Sequence, residues 1–332
     1  MAFFFDKIRN MMVPFNNDYR KSYEDAHLKF IEPILKTAYT DTGDLDFALL
    51  NIMSPISFLL ASELKKTNPD GDLILRCIEN LKQNPISFGV IDNELLLTPI
   101  DTRGDQINFL KSNDTERLLF LENIKKLKEN LPVIWTDFVS IINTITFVSV
   151  TGKEELLEHF SGSDSDRWGA MHMSNNMDLL NIAECLTHEA SHHWMNLYEF
   201  YTSEEFIEDG WTNNSFVSPW RRDKRPLMGI YHGIYVFSNV FIVLNYIDDF
   251  SITWPYRRGS IQHFNNVNRI NYLGAQVKRG IEIMELNKKH LSPNALDLLS
   301  DIIPIFERVY LKTHEQVRDN FYQTILKEES SK

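Results

Sequence analysis

Residues 226–247, PLMGIYHGIYVFSNVFIVLNYI, run without a single formally charged side chain. A stretch of that length has two homes, the interior of a protein or a bilayer, since about 20 apolar residues span a membrane. Here His232, Asn239, Asn245 and two glycines interrupt the run, and polar groups are costly in lipid. The run is therefore read as a buried core helix beginning near Pro226.

The rest of the chain follows the same tendency. Helical periodicity dominates both ends and strand-like runs sit in the middle, so the expected fold is mainly α with a small β-sheet (α+β). Asp46 to Lys65 reads as an apolar helix broken at Pro55, and Asp72 to Lys82 as a second after the NPDGD turn. Ile86 to Pro99 reads as a hairpin turning at Asp92-Asn93, with Ile145 to Val150 as its partner. Asp166 to Ser174 reads as a short strand, followed by a central helix over about Met177 to Leu197. Ser174, Asn175, Asn176 and Asp178 are its capping candidates. A long helix over about Ile261 to Lys289 follows the apolar one, and Ser292-Pro293 opens a C-terminal helix with a kink expected at Pro304. With 332 residues the chain is long enough for one large domain or two. The division expected is a mostly helical region at 1–130 and a catalytic region at 131–332, with one continuous domain as the alternative.

Charge and cysteine usage narrow the partners. Net charge is −12 and the pI about 5.3, which leaves no Lys/Arg excess to neutralise phosphates, so a nucleic-acid partner is not expected. The one basic cluster, Arg221, Arg222, Lys224 and Arg225, has the size of a ligand site. The opening MAFFFDKIRNMM lacks the apolar core of a signal peptide. Cys77 and Cys185 are too few for a disulfide framework or a thiolate zinc site. A cytoplasmic protein with no membrane partner is expected.

The central helix carries the chemistry-bearing pattern. At 100° per residue Leu179, Ala183, Leu186, Ala190, Trp194 and Leu197 form one stripe, and His188 and His192 fall together on roughly the opposite face. His188-Glu189-Ala190-Ser191-His192 is an H-E-x-x-H motif, whose four-residue spacing lets two imidazoles reach one ion from the same face. His193 points elsewhere and is read as a polar or supporting residue.

Two histidines do not hold a catalytic metal firmly, so a third protein ligand is expected downstream. Glu204, Glu205 and Glu208 would suit a zinc site of the thermolysin kind. His232, alone among apolar neighbours, is the other candidate. Pro226 suits the first helical position, which puts Arg225 at the helix entrance and His232 about 10 Å further along the axis. A guanidinium at that distance could hold the far carboxylate of a small diacid whose other end chelates the metal.

Two segments, GAMHMS…LLNIAECLTHEASHHWMN (Gly169 to Asn196) and SPWRRDKRPLMGIYHGIYVF (Ser218 to Phe237), resemble in this order the HEXXH-motif peptide-modification proteins. That family is understood as iron(II)- and 2-oxoglutarate-dependent peptide β-hydroxylases of ribosomal peptide pathways. The resemblance implies His188, His192 and His232 as iron ligands, and Arg221 and Arg225 at the family's arginine positions, with Arg225 on the 2-oxoglutarate carboxylate. It implies a precursor peptide as substrate, and Glu189 as an outer-shell or substrate-orienting group. A third histidine departs from the usual two-histidine, one-carboxylate set of non-haem iron enzymes. Lys224 stands where the pattern commonly has proline. Residues 1–130 match nothing in the pattern and are the expected peptide-recognising region.

Two other readings compete. In a zinc metallopeptidase Glu189 would deprotonate zinc-bound water, with His232 or a glutamate near Glu208 as third ligand. The metzincin extension is missing, since Tyr198 occupies the sixth position past His192 and no glycine occurs before Gly210. A catalytically silent, metal-stabilised peptide-binding protein is the other reading, with Cys185 as its one nearby thiolate.

Overall fold

A computed structural model describes most of residues 59–330; internal stretches including 91–105, 152–160, 203–206, 208–214 and 250–260 lie outside the described residues. The fold is mainly α with small sheets. Its contacts divide into two compact units, one ending at Trp194 and one beginning at Met195. This division does not coincide with the one expected at 130/131.

The first unit contains α1 (Gly71–Gln83), β1 (Gly89–Val90), β2 (Gln106–Phe109), α2 (Asp114–Asn130), β3 (Thr144–Thr151), β4 (Ser161–Ser163), β5 (Ala170–Ser174) and most of α3 (Leu179–Thr202). Asp70 starts α1 by accepting hydrogen bonds from the Asp72 and Leu73 amides at 3.0 and 3.1 Å, which satisfies donors that a helix start leaves open. The sheet is ordered β1-β3-β5-β4, with β2 also on β3. Gly89–Val90 pairs in parallel with Thr144–Ile145, so the expected partnership of these two segments is present; the turn proposed at Asp92-Asn93 lies outside the described residues. Strand β3 is buried on both faces, with Ile145, Thr146, Phe147 and Val148 all inside. Its sequence, TITFVSVT, nonetheless alternates polar and apolar residues except at Phe147-Val148, so the burial of Thr144 and Thr146 is not marked in the pattern. Helix α2 buries Phe120, Ile124 and Leu127, spaced by helical turns, and Phe120 meets Phe147 of β3 edge to face at 5.1 Å.

The second unit contains β6 (Phe216–Val217), β7 (Lys224–Arg225), α4 (Leu227–Asp249), α5 (Ile261–Asn287), a 3₁₀ turn at Lys288–His290, α6 (Pro293–Tyr310) and α7 (Glu315–Ser330). The apolar run is α4. By length and composition it could cross a membrane, yet most of it is buried inside the fold. It packs on α5 and α6, with Tyr231 donating to the Ala295 carbonyl at 2.9 Å and Phe241 against Phe306 at 5.2 Å. Ser292 caps α6 through the Ala295 amide at 3.2 Å, and Pro293 follows at the start. Pro304 lies inside that helix. The chain then turns into α7, a separate helix. Arg318 holds the turn by donating to the Leu311 and Thr313 carbonyls at 3.0 and 2.7 Å, supplying partners to carbonyls at the C-terminal end of α6.

Candidate metal centre

In the first unit, His188 and His192 sit half-buried on one face of α3, as the spacing predicts. Their Nε2 atoms are 3.2 Å apart and their rings are set edge to face at 74°. Two imidazole nitrogens each about 2.05 Å from one ion would lie about 2.9 Å apart at a right angle and about 3.4 Å apart at the tetrahedral angle. The observed separation falls between these limits, so the pair has the bite of a single metal ion. Leu179, Ala183, Leu186 and Ala190 are buried as the core stripe requires. Trp194 departs from it and is half-buried, and the Leu197 side chain lies outside the described residues.

The helix is aimed by two contacts with the sheet that sequence reasoning had not anticipated. His193 is buried, and its Nε2 donates to the Ala170 carbonyl of β5 at 3.0 Å. Glu189, equally buried, accepts from the Ser161 hydroxyl at 2.7 Å and from the Ser163 hydroxyl at 2.6 Å, one on each carboxylate oxygen. Both serines belong to β4, which pairs with β5. Gly162 lies between them, opposite His172, and a Cβ there would run into the His172 ring, coming within 2.9 Å of its Cε1. The glycine therefore lets the β4 edge close over His172 while its flanking serines reach the helix. The alternating Ser-Gly-Ser is the available signal: a period-two pattern with the same hydroxyl donor at both ends. It is too short to be decisive in sequence.

The remaining predicted site residues lie in the second unit. His232 is buried on α4. Arg225 ends β7 two residues before the helix begins, as the placement of Pro226 anticipates; the Pro226 carbonyl accepts from the Ile230 amide at 3.3 Å. Arg225 Nε lies 3.1 Å from Asp223 Oδ2, an ion pair without hydrogen-bond geometry. Arg221 is exposed. The loop carrying these arginines is fastened to its own unit. Ser218 Oγ accepts from the Trp220 and Arg221 amides at 3.3 and 3.2 Å. Gln276 of α5 donates to the Pro219 carbonyl at 2.6 Å. The Trp220 indole stacks on Phe237 at 5.2 Å and 13°, lying against Gly233 of α4 and Gly280 of α5, where an added Cβ at either glycine would come within 2.6 Å of it. These glycines are needed for close approach, and Gly233 adjoins His232.

Glu204, Glu205, Glu208 and Arg222 lie outside the described residues. Within neither unit do the described residues bring three or more His, Cys, Asp or Glu side chains into reach of one ion. Cys185 is half-buried and Cys77 buried, neither in a disulfide, and burial pushes the Cys77 thiol up to about 11. In comparisons with known proteins, no family model matches the chain and no curated protein matches it significantly.

Proposed function

We propose that this chain is an iron(II)- and 2-oxoglutarate-dependent oxygenase that hydroxylates a side-chain β-carbon of a ribosomally synthesised precursor peptide in the cytoplasm. The observation that carries the reading is the 3.2 Å bite of His188 and His192, in a segment whose sequence resembles that family. His232 is the proposed third ligand, Arg225 the partner of the 2-oxoglutarate carboxylate, and Arg221 the reserve for that role. Iron with 2-oxoglutarate, when bound, supplies the oxidising power to insert oxygen into a C–H bond. No protein base is needed for that insertion, which suits a Glu189 whose two oxygens are both engaged by serine hydroxyls. Its proposed role is to orient the helix and the groups beside the metal. No nucleic-acid or membrane partner is proposed.

The test is metal content after anaerobic purification together with conversion of 2-oxoglutarate to succinate. His188→Ala and His192→Ala should each lose most bound iron and keep the wild-type circular dichroism, because neither side chain belongs to the core stripe. Full occupancy in both variants would remove the site. His232→Ala tests the third ligand separately. Peptide cleavage that needs no oxygen and disappears in Glu189→Gln would instead establish the zinc peptidase reading.

A further inference from the structure

Strand β4 ends the sheet order β1-β3-β5-β4 and pairs on its inner side with β5. Among the described residues no strand pairs with its outer side. All three of its residues are half-buried. The Ser161 and Ser163 hydroxyls are turned to Glu189, and Gly162 has no side chain, so the accessible surface at Gly162 is main chain. Strand β5 closes its inner side and the His172 ring closes the face that a Cβ would take, which leaves the outer edge and the side toward α3.

The histidine pair faces that same edge. From Glu189 to His193 the helix advances about 6 Å, and its contacts shift from the level of Gly162 and His172 to Ala170, two residues of β5 or about 6.6 Å. Helix α3 therefore runs along the strands. His193 is directed at β5 and Glu189 at β4. At about 100° per residue these two differ by about 40° around the axis, and His192 and His188 lie about 60° and about 100° beyond Glu189 in the same sense. The rotation that leads from β5 to β4 thus leads on past β4, over the edge of the sheet. Burial agrees with this: Cys185, His188 and His192 on that flank are half-buried, whereas Glu189, Ala190 and His193 are buried.

We propose that the outer edge of β4 receives the precursor peptide as an added strand, held by main-chain hydrogen bonds alongside His188 and His192; the inference rests on the peptide-oxygenase reading for the nature of the occupant. An extended peptide supplies the donors and acceptors that a sheet edge leaves open, whatever its side chains. Successive Cβ atoms of a strand point to opposite faces. Every second residue of the peptide therefore presents its β-carbon on the α3 side, which is the presentation that oxidation at that carbon requires.

Isothermal titration calorimetry on the full chain, loaded with zinc so that no turnover intrudes, tests it. The probe is the N-acetyl pentapeptide Ala-Val-Ala-Val-Ala ending in a metal-chelating hydroxamate, compared with twins methylated at each backbone nitrogen in turn. The unmethylated probe should bind saturably. Only alternate amides of a strand point at its partner, so methylation at alternate positions should raise Kd about tenfold, as for loss of one hydrogen bond. The intervening positions should stay within about twofold, and hydrogen exchange at residues 161–163 should slow in the complex. Every change is made on the peptide, so the fold is undisturbed. No saturable binding to the zinc-loaded chain, the same effect at every methylated position, or unchanged exchange at 161–163 with the probe bound would overturn the added strand and leave the metal site standing. A chain that takes up no zinc would remove the metal site and this inference with it.

Discussion

Replacing Glu189 separates a structural strut from a proton-transferring base, because the two roles predict different losses. Each carboxylate oxygen accepts one short hydroxyl bond from β4, and a hydrogen bond to a charged group contributes about 1.5–3 kcal/mol. Ser161 and Ser163 are half-buried, so the lower end applies, and loss of both bonds in Glu189→Ala should cost about 3 kcal/mol. That is a large share of the roughly 5–15 kcal/mol that holds a domain together. Glu189→Gln keeps the shape and one acceptor, and its amide can donate to the hydroxyl it no longer accepts from, so about 1 kcal/mol should be lost. The assay is urea unfolding followed by far-ultraviolet circular dichroism, reading the midpoint at constant slope. A double-mutant cycle of Ser163→Ala with Glu189→Ala should return a coupling of about 1.5 kcal/mol. A Glu189→Ala protein within about 0.5 kcal/mol of wild type, the range of an inconsequential surface change, would refute the strut. On the hydroxylase reading Glu189→Gln also retains measurable 2-oxoglutarate decarboxylation; complete loss with iron still bound would assign the carboxylate a chemical role.

Arg225→Lys should raise the apparent 2-oxoglutarate requirement about tenfold while sparing iron binding, since a lysine does not replace a bidentate guanidinium; Arg222→Lys should do little. Unchanged 2-oxoglutarate affinity in both Arg221→Lys and Arg225→Lys would place the carboxylate pocket elsewhere. Gly233→Ala should destabilise by about 1–2 kcal/mol in urea unfolding. Overpacking costs typically 1–3 kcal/mol, the helix recovers up to about 1 kcal/mol, and the indole is also held by its stacking on Phe237 and its close approach to Gly280; a stabilised variant would show that the indole relocates. Burial, reinforced by its hydrogen bond to Glu282, raises the Tyr322 hydroxyl from 10.0 to about 12. The protonated form is the one the fold favours, so this contribution is complete below pH 10 and is lost as pH rises from there to about 12. Melting temperature followed through that window should fall less steeply in Tyr322→Phe than in wild type, and identical profiles would remove Tyr322 from the alkaline transition.

Local pattern was enough for those features that depend on spacing along one element. An uncharged apolar run with scattered polar groups can only be a core helix or a membrane span, and α4 is buried as the first of these. The four-residue interval between His188 and His192 places both on one helix face, whatever else the chain does, because 3.6 residues make a turn. Ser292-Pro293 marks the start of α6 because a hydroxyl acceptor followed by a residue lacking an amide hydrogen suits a helix start.

Features made by residues distant in sequence were not legible in the same way. Ser161 and Ser163 carry no local mark as partners of Glu189, since only the pairing of β4 with β5 beneath α3 brings them within hydrogen-bond range. The Trp220 slot is built from Gly233 and Gly280, whose missing side chains acquire meaning only when an indole lies across both helices. Glu329 carries no mark in the sequence; packing of α7 on α5 buries its carboxylate and gives one oxygen a partner in Arg279 and the other none. Helical periodicity is a property of consecutive residues and survives in the one-dimensional string, whereas burial, hydrogen-bond pairing and close approach arise when separate elements meet, and only the tertiary structure decides which ones do.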